Sequence, residues 1–157
     1  MVAKSRRPQA ERAAVWVLYE HYGCVEHRKA VCTQFQTVDF WSCDVEGHTA
    51  TGEKVFAQVT AGKTAAVLTR RRKIEKHYWH RDDIVFVWQL VERQDVANPR
   101  RKVWSFRVWE YIRRPGGLRE WVDDQAPIAI RPEWFKARKE VKPDDHLQPT
   151  RRAANRD

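Results

Sequence analysis

Apolar positions along the first part of the chain recur every three to four residues. Ala10, Ala13, Ala14, Val17 and Leu18 line one side of a segment from Gln9 to about Tyr22, which predicts a helix with one buried face. Gly23 supplies its stop. The period then changes. Cys24–Cys32 and Thr37–Val45 read as strands, the second rich in β-branched and aromatic types and without helical spacing. Residues 46–53, Glu-Gly-His-Thr-Ala-Thr-Gly-Glu, have the composition of a turn, and Lys54–Thr60 reads as the returning strand of a hairpin.

Thr64 is a suitable N-cap for a helix from Ala65 to about His77. Val67, Ile74 and Tyr78 form its apolar stripe, and Arg70, Arg72, Lys73 and Lys76 spread over the rest. Ile84–Val91 is a nearly unbroken apolar run of strand length, the pattern of a strand covered on both faces. Lys102–Ile112 is a second long strand, with Trp104, Phe106 and Val108 on its better covered side, followed by a turn at Pro115-Gly116-Gly117. A short strand at Ile128–Ile130 and a helix at Pro132–Val141 complete the pattern. The order is α-β-β-β-α-β with an appended β-β-α piece. It predicts one α/β domain over residues 9–141, between a basic flexible arm (1–8) and a basic flexible tail (142–157).

Composition narrows the classes. The chain has 157 residues, and its 42% apolar share with eight tryptophans excludes wholesale disorder. No apolar run approaches the roughly 18 residues of a spanning helix, and no apolar stretch follows the basic N-terminus, so neither a membrane span nor a secretory signal is expected. A cytoplasmic location is the expectation that follows. Cys24, Cys32 and Cys43 are odd in number and lack C-x-x-C spacing, so neither a disulfide framework nor a zinc knuckle is indicated. The formal net charge is +9 and the pI about 9.8. That field favours a polyanion, with nucleic acid the commonest.

Candidate chemistry concentrates between Asp39 and Lys76. Side chains alternate along a strand, so Gln58 and Thr60 share one face while Val55, Ala57 and Val59 share the other. A strand that turns its valines to a core and Gln58 with Thr60 to a cleft makes a natural site wall. Solvated polar positions on an antiparallel hairpin are the bland alternative.

The segments Asp39-Phe-Trp-Ser-Cys-Asp44, Gln58-Val-Thr-Ala-Gly62 and Arg70-Arg-Arg-Lys-Ile74 resemble the PD-(D/E)xK nuclease superfamily. Within it they are similar to small phage-encoded members of the Holliday junction resolvase-like or nuclease-like kind. The resemblance covers roughly residues 9–112. It implies a restriction-endonuclease-like core, αβββαβ, with a mixed sheet flanked by helices and extended by a C-terminal β-hairpin and helix. It also implies metal-dependent hydrolysis of DNA phosphodiesters, with Mg²⁺ or Mn²⁺ as cofactor and a homodimer as the acting form.

Position by position, the resemblance makes Asp44 the motif aspartate, Gln58 the second acid, the Val59 carbonyl a metal donor and Thr60 the lysine. Glu11 matches an acid on the first helix. Asp39 is a further metal candidate, Glu46 a further source of negative charge, and Lys63 or Lys73 a stand-in for the missing lysine. Two of these matches depart from the family pattern: Gln58 brings no charge to a dication, and Thr60 brings none to a phosphate. Asp39 and Asp44 are an odd number apart, so both serve one site only across a bulge. Arg70, Arg72, Lys73 and Lys76 are the expected phosphate contacts. The alternative reading is a catalytically inactive nucleic-acid-binding protein of the same fold that modulates host or phage machinery.

Overall fold

The computed structural model describes residues 6–29, 31, 32, 37, 38 and 43–138. In order these form α1 (Arg7–Glu20), β1 (Cys24–Lys29), β2 (Val31–Cys32), β3 (Thr37–Val38), β4 (Val45–Thr49), β5 (Lys54–Thr60) and α2 (Thr64–Glu75). They continue as β6 (Ile84–Gln94), β7 (Lys102–Arg113), β8 (Arg119–Val122), β9 (Ile128–Ile130) and a 3-10 turn at Pro132–Phe135. One sheet runs β1-β4-β5-β6-β7-β8, with β9 also paired to β7, and β2 pairs with β3 separately. All of its pairings are antiparallel except β5 with β6, which is parallel. Two parallel neighbours require a crossover, and α2 supplies it. The result is a mixed α/β fold whose sheet is flanked by helices.

The two helices lie on opposite faces, and the strand alternation sorts side chains between them. Val55, Ala57 and Val59 of β5, Phe86 and Trp88 of β6, and Phe106 and Val108 of β7 meet α1 through Ala10, Ala13, Ala14, Val17 and Leu18. Three alanines let the helix backbone approach the sheet closely, and full burial of Leu18 contributes roughly 1.5–3 kcal/mol. On the other face Phe56, Val85, Val87 and Trp109 meet Val67 and Ile74 of α2. The expectation that Ile84–Val91 is covered on both sides therefore holds.

Several expected boundaries differ. Helix α1 begins at Arg7, two residues before its expected start and inside the supposed arm, with Pro8 in its first turn, where a missing N–H costs nothing. Residues 46–49 are strand rather than turn, with the reversal at 50–53. Gly47 is there for packing: a Cβ at that position would lie 2.6 Å from Cys24 Sγ and 3.0 Å from Leu18 Cδ2. Thr64 is the first helical residue and Lys63 the cap, without a side-chain cap bond. Tyr78 lies beyond α2 and is exposed, so it leaves the apolar stripe. The expected helix at Pro132–Val141 is a single 3-10 turn through Phe135, and residues 136–138 are not helical. Strand β8 went unpredicted. The turn before it was legible, since Gly116 and Gly117 both take positive φ, 95° and 90°.

Candidate functional site

The site is built where β5 ends and α2 begins. The Asp44 N–H donates to the Ala57 carbonyl at 2.9 Å, which sets Asp44 beside β5 just before β4 starts. Its carboxylate is buried, and each of its oxygens accepts a hydrogen bond. Oδ2 accepts the Val59 backbone N–H at 2.8 Å, and Oδ1 accepts from the Arg7 guanidinium at 3.1 Å. Arg7 also donates to Glu11, one helical turn along, at 3.2 Å. Burial works against the Arg7 charge, but the Asp44 and Glu11 carboxylates outweigh it and hold its pKa above the ordinary arginine value. Arg7 thus bridges the two acids that the sequence singled out.

Gln58 and Thr60 occupy the α2 face of β5, as their alternation requires, and both are buried beneath that helix. Gln58 Oε1 accepts from Arg70 at 2.9 Å, while its buried Nε2 has no partner. The Thr60 hydroxyl accepts the Gly62 N–H at 3.0 Å and so tightens the turn into α2. The Gln89 side-chain amide donates to the Gly62 carbonyl at 2.9 Å, fixing the same turn from β6. Lys63 is exposed at the cap of α2. Arg72, Lys73 and Lys76 are exposed on α2, whereas Arg70 turns inward to Gln58. Asp39 lies outside the described residues.

Whether these groups suit Mg²⁺ follows from their chemistry. Magnesium is a hard cation that takes oxygen ligands and is usually anchored by carboxylates. Here both oxygens of Asp44 already accept hydrogen bonds, one from a guanidinium, and the oxygen of Gln58 accepts from a second guanidinium. Guanidiniums thus sit on oxygens that a dication would need as ligands, and the Gln58 amide adds no negative charge. No group of three or more His, Cys, Asp or Glu suited to a metal occurs among the described residues. As arranged, the donor set does not fit the metal.

One participant was missed in the sequence and another was placed in the wrong element. Arg7 was assigned to a flexible arm, although Arg7 and Glu11 at i,i+4 beside Pro8 is a legible helix-start signal. Glu46 was placed in a turn. It is instead a buried carboxylate on β4, two residues from Asp44, accepting from Arg28 at 2.6 Å and contacting His48 at 3.0 Å. Its register partner is Phe56, so it shares the sheet face of Gln58.

No protein-family model, curated protein or solved structure matches the chain. Among the described residues, no helix is long and apolar enough to cross a membrane. The chemistry of the side chains therefore carries the functional argument.

Proposed function

We propose that this chain is a nucleic-acid-binding protein built on a nuclease-like layout, with arginines seated where a hydrolytic relative would hold its metal. The observation that carries this reading is the double occupation of the candidate donors: Arg7, from α1, on Asp44 and Arg70, from the basic helix α2, on Gln58. The element order supports the layout, since α1, the antiparallel strands β1, β4 and β5, the crossover helix α2 and the parallel strand β6 follow one another as in the PD-(D/E)xK core, with the separate β2–β3 pair inserted after β1. Arg72 and Lys76 are exposed on α2 and neither pairs with a carboxylate among the described residues, which leaves their charge available to phosphates.

The centre then works as a charge-balanced support for the basic helix, the guanidiniums of Arg7 and Arg70 offsetting the carboxylates of Asp44 and Glu11. Asp44 orients Arg7 and joins α1 to β5, and Gln58 holds Arg70 against the sheet. The exposed cations outside them meet the strand, so affinity falls steeply with salt as counterions are released.

The test is incubation of the wild type and Asp44→Ala with branched, single-stranded and duplex DNA in Mg²⁺, Mn²⁺ or EDTA. Salt-sensitive binding in all three conditions, with no cutting by either protein, is the expected result. Metal-dependent cutting by the wild type that Asp44→Ala abolishes overturns this reading in favour of a hydrolase. Absence of any DNA binding points to an acidic protein partner instead.

A further inference from the structure

A cationic cleft lies at the opposite end of α2 from this centre. The helix has 12 residues, so its ends stand about 18 Å apart at 1.5 Å per residue. Past its C-terminus, the loop leading to β6 packs against the β7–β8 hairpin and encloses an open cleft of about 490 Å³. Arg119 of β8 clasps the two together, donating to the backbone carbonyls of Tyr111 and His80, both at 2.7 Å, and of Asp83 at 3.2 Å.

The lining is unusual in charge and in exposure. Arg81, Arg113 and Arg119 all face the cleft, and no carboxylate lines it. Arg81 lies 3.7 Å from Asp82 on the rim. Arg113 has no carboxylate partner among the described residues. It stands in register opposite Arg119, and like charges directly across two strands repel. Two of the large apolar side chains left exposed on the molecule, Tyr78 at 91% and Leu118 at 80%, flank this same cleft. Tyr111 forms part of its wall and is stacked on Trp121 at 4.6 Å, which in turn lies under Arg71 of α2. A guanidinium without a carboxylate partner, as at Arg113, beside an exposed ring is the combination that holds unpaired nucleotides, the ring taking a base and the cation a phosphate.

We propose that this cleft binds an unpaired stretch of nucleic acid, with a base stacked on Tyr78 and a phosphate held by Arg113. The inference rests on the nucleic-acid reading above and extends it. The exposed cations of α2 run from the first centre toward the cleft, so a duplex on the helix and a frayed or branched strand in the cleft are contacted together. An acidic peptide satisfies the arginines as well, but it has no use for an exposed tyrosine ring.

Binding of a fluorescein-labelled thymidine oligonucleotide and of a short duplex is compared for the wild type, Tyr78→Ala, Tyr78→Phe and Arg113→Ala. Tyr78→Ala is expected to weaken oligonucleotide binding by about fivefold to a hundredfold, the range of one lost base–aromatic stack. Tyr78→Phe restores it, and duplex binding changes by less than about twofold. Arg113→Ala lowers the salt slope for the oligonucleotide by about one. Unchanged melting temperatures exclude a folding defect, which the exposure of Tyr78 makes the expected result. If the wild type binds DNA but Tyr78→Ala and Arg113→Ala match it on the oligonucleotide, the cleft is not a strand site and only this inference fails. If poly-glutamate competes with the oligonucleotide and binds Tyr78→Ala as well as the wild type, an acidic peptide is the ligand and the inference also fails. A wild type that binds neither DNA defeats both readings together.

Discussion

The two faces of the sheet differ in what their helices are for. Six residues of α1 are buried, and they meet valines, phenylalanines and Trp88 in a tightly packed apolar layer. Only Val67 and Ile74 of α2 are buried, while Gln58, Thr60 and Glu46 lie on the sheet beneath or beside it. The first face is organised by area removed from water, the second by hydrogen bonds and paired charges. Hydrophobic contacts tolerate little change of volume. The cations exposed on α2 carry little of the fold's stability and remain available to bind.

The sharpest way to test that contrast is Leu18→Ala. It empties a fully buried position under α1 and is expected to cost about 3 kcal/mol in urea unfolding, with DNA affinity of the remaining folded protein unchanged. Gly47→Ala probes the same contact from the strand side. Its methyl meets Cys24 and Leu18, so a loss of about 1–3 kcal/mol is expected. Combined with Leu18→Ala the loss should be less than additive, because the cavity accepts the methyl; strict additivity in the double-mutant cycle would contradict the packing.

A smaller effect comes from Glu110, a charge at the margin of the α1 face with the same strand parity as Phe106 and Val108. Burial raises its pKa, and the hydrogen bond from Gln125 only partly opposes this. The folded state therefore holds the proton more tightly than the unfolded chain. The resulting penalty is absent below the unfolded carboxylate pKa, grows between the two values and is complete above the folded one. Glu110→Gln should raise stability at pH 7 by less than about 1 kcal/mol and leave it unchanged near pH 3, as paired unfolding curves would register. The smallest change in stability, within about 0.5 kcal/mol, is expected for Arg72→Glu with Lys76→Glu. The same pair should weaken duplex binding more than tenfold and reduce the salt slope by about two.

The core elements were legible because each has its own period. The alanine and leucine spacing of α1, the apolar run of β6 and the Gly116-Gly117 turn all follow from local rules. The face shared by Gln58 and Thr60 was legible for the same reason. What those side chains touch was not. Arg70 looked like one more exposed cation among Arg70, Arg72, Lys73 and Lys76, and only its position over Gln58 turns it inward. Gly47 read as a turn residue because a missing side chain carries no sign of the Cys24 and Leu18 atoms that fill its place. The 3-10 turn at Pro132–Phe135 shows propensity overridden, as its Trp134 is held on α1 by stacking with Trp16 at 6.2 Å.

From its residue order alone the chain determined an α/β domain with a strong positive charge, a basic helix after a strand bearing Gln58 and Thr60, and a core rich in aromatic residues. Periodicity and charge are properties of neighbours along the chain, and they survive without coordinates. Tertiary structure decided the rest: Arg7 on Asp44 across 37 positions, and Arg119 clasping the loop at His80 across 39. Such pairings depend on which strands lie side by side, and local sequence carries no energy term for that.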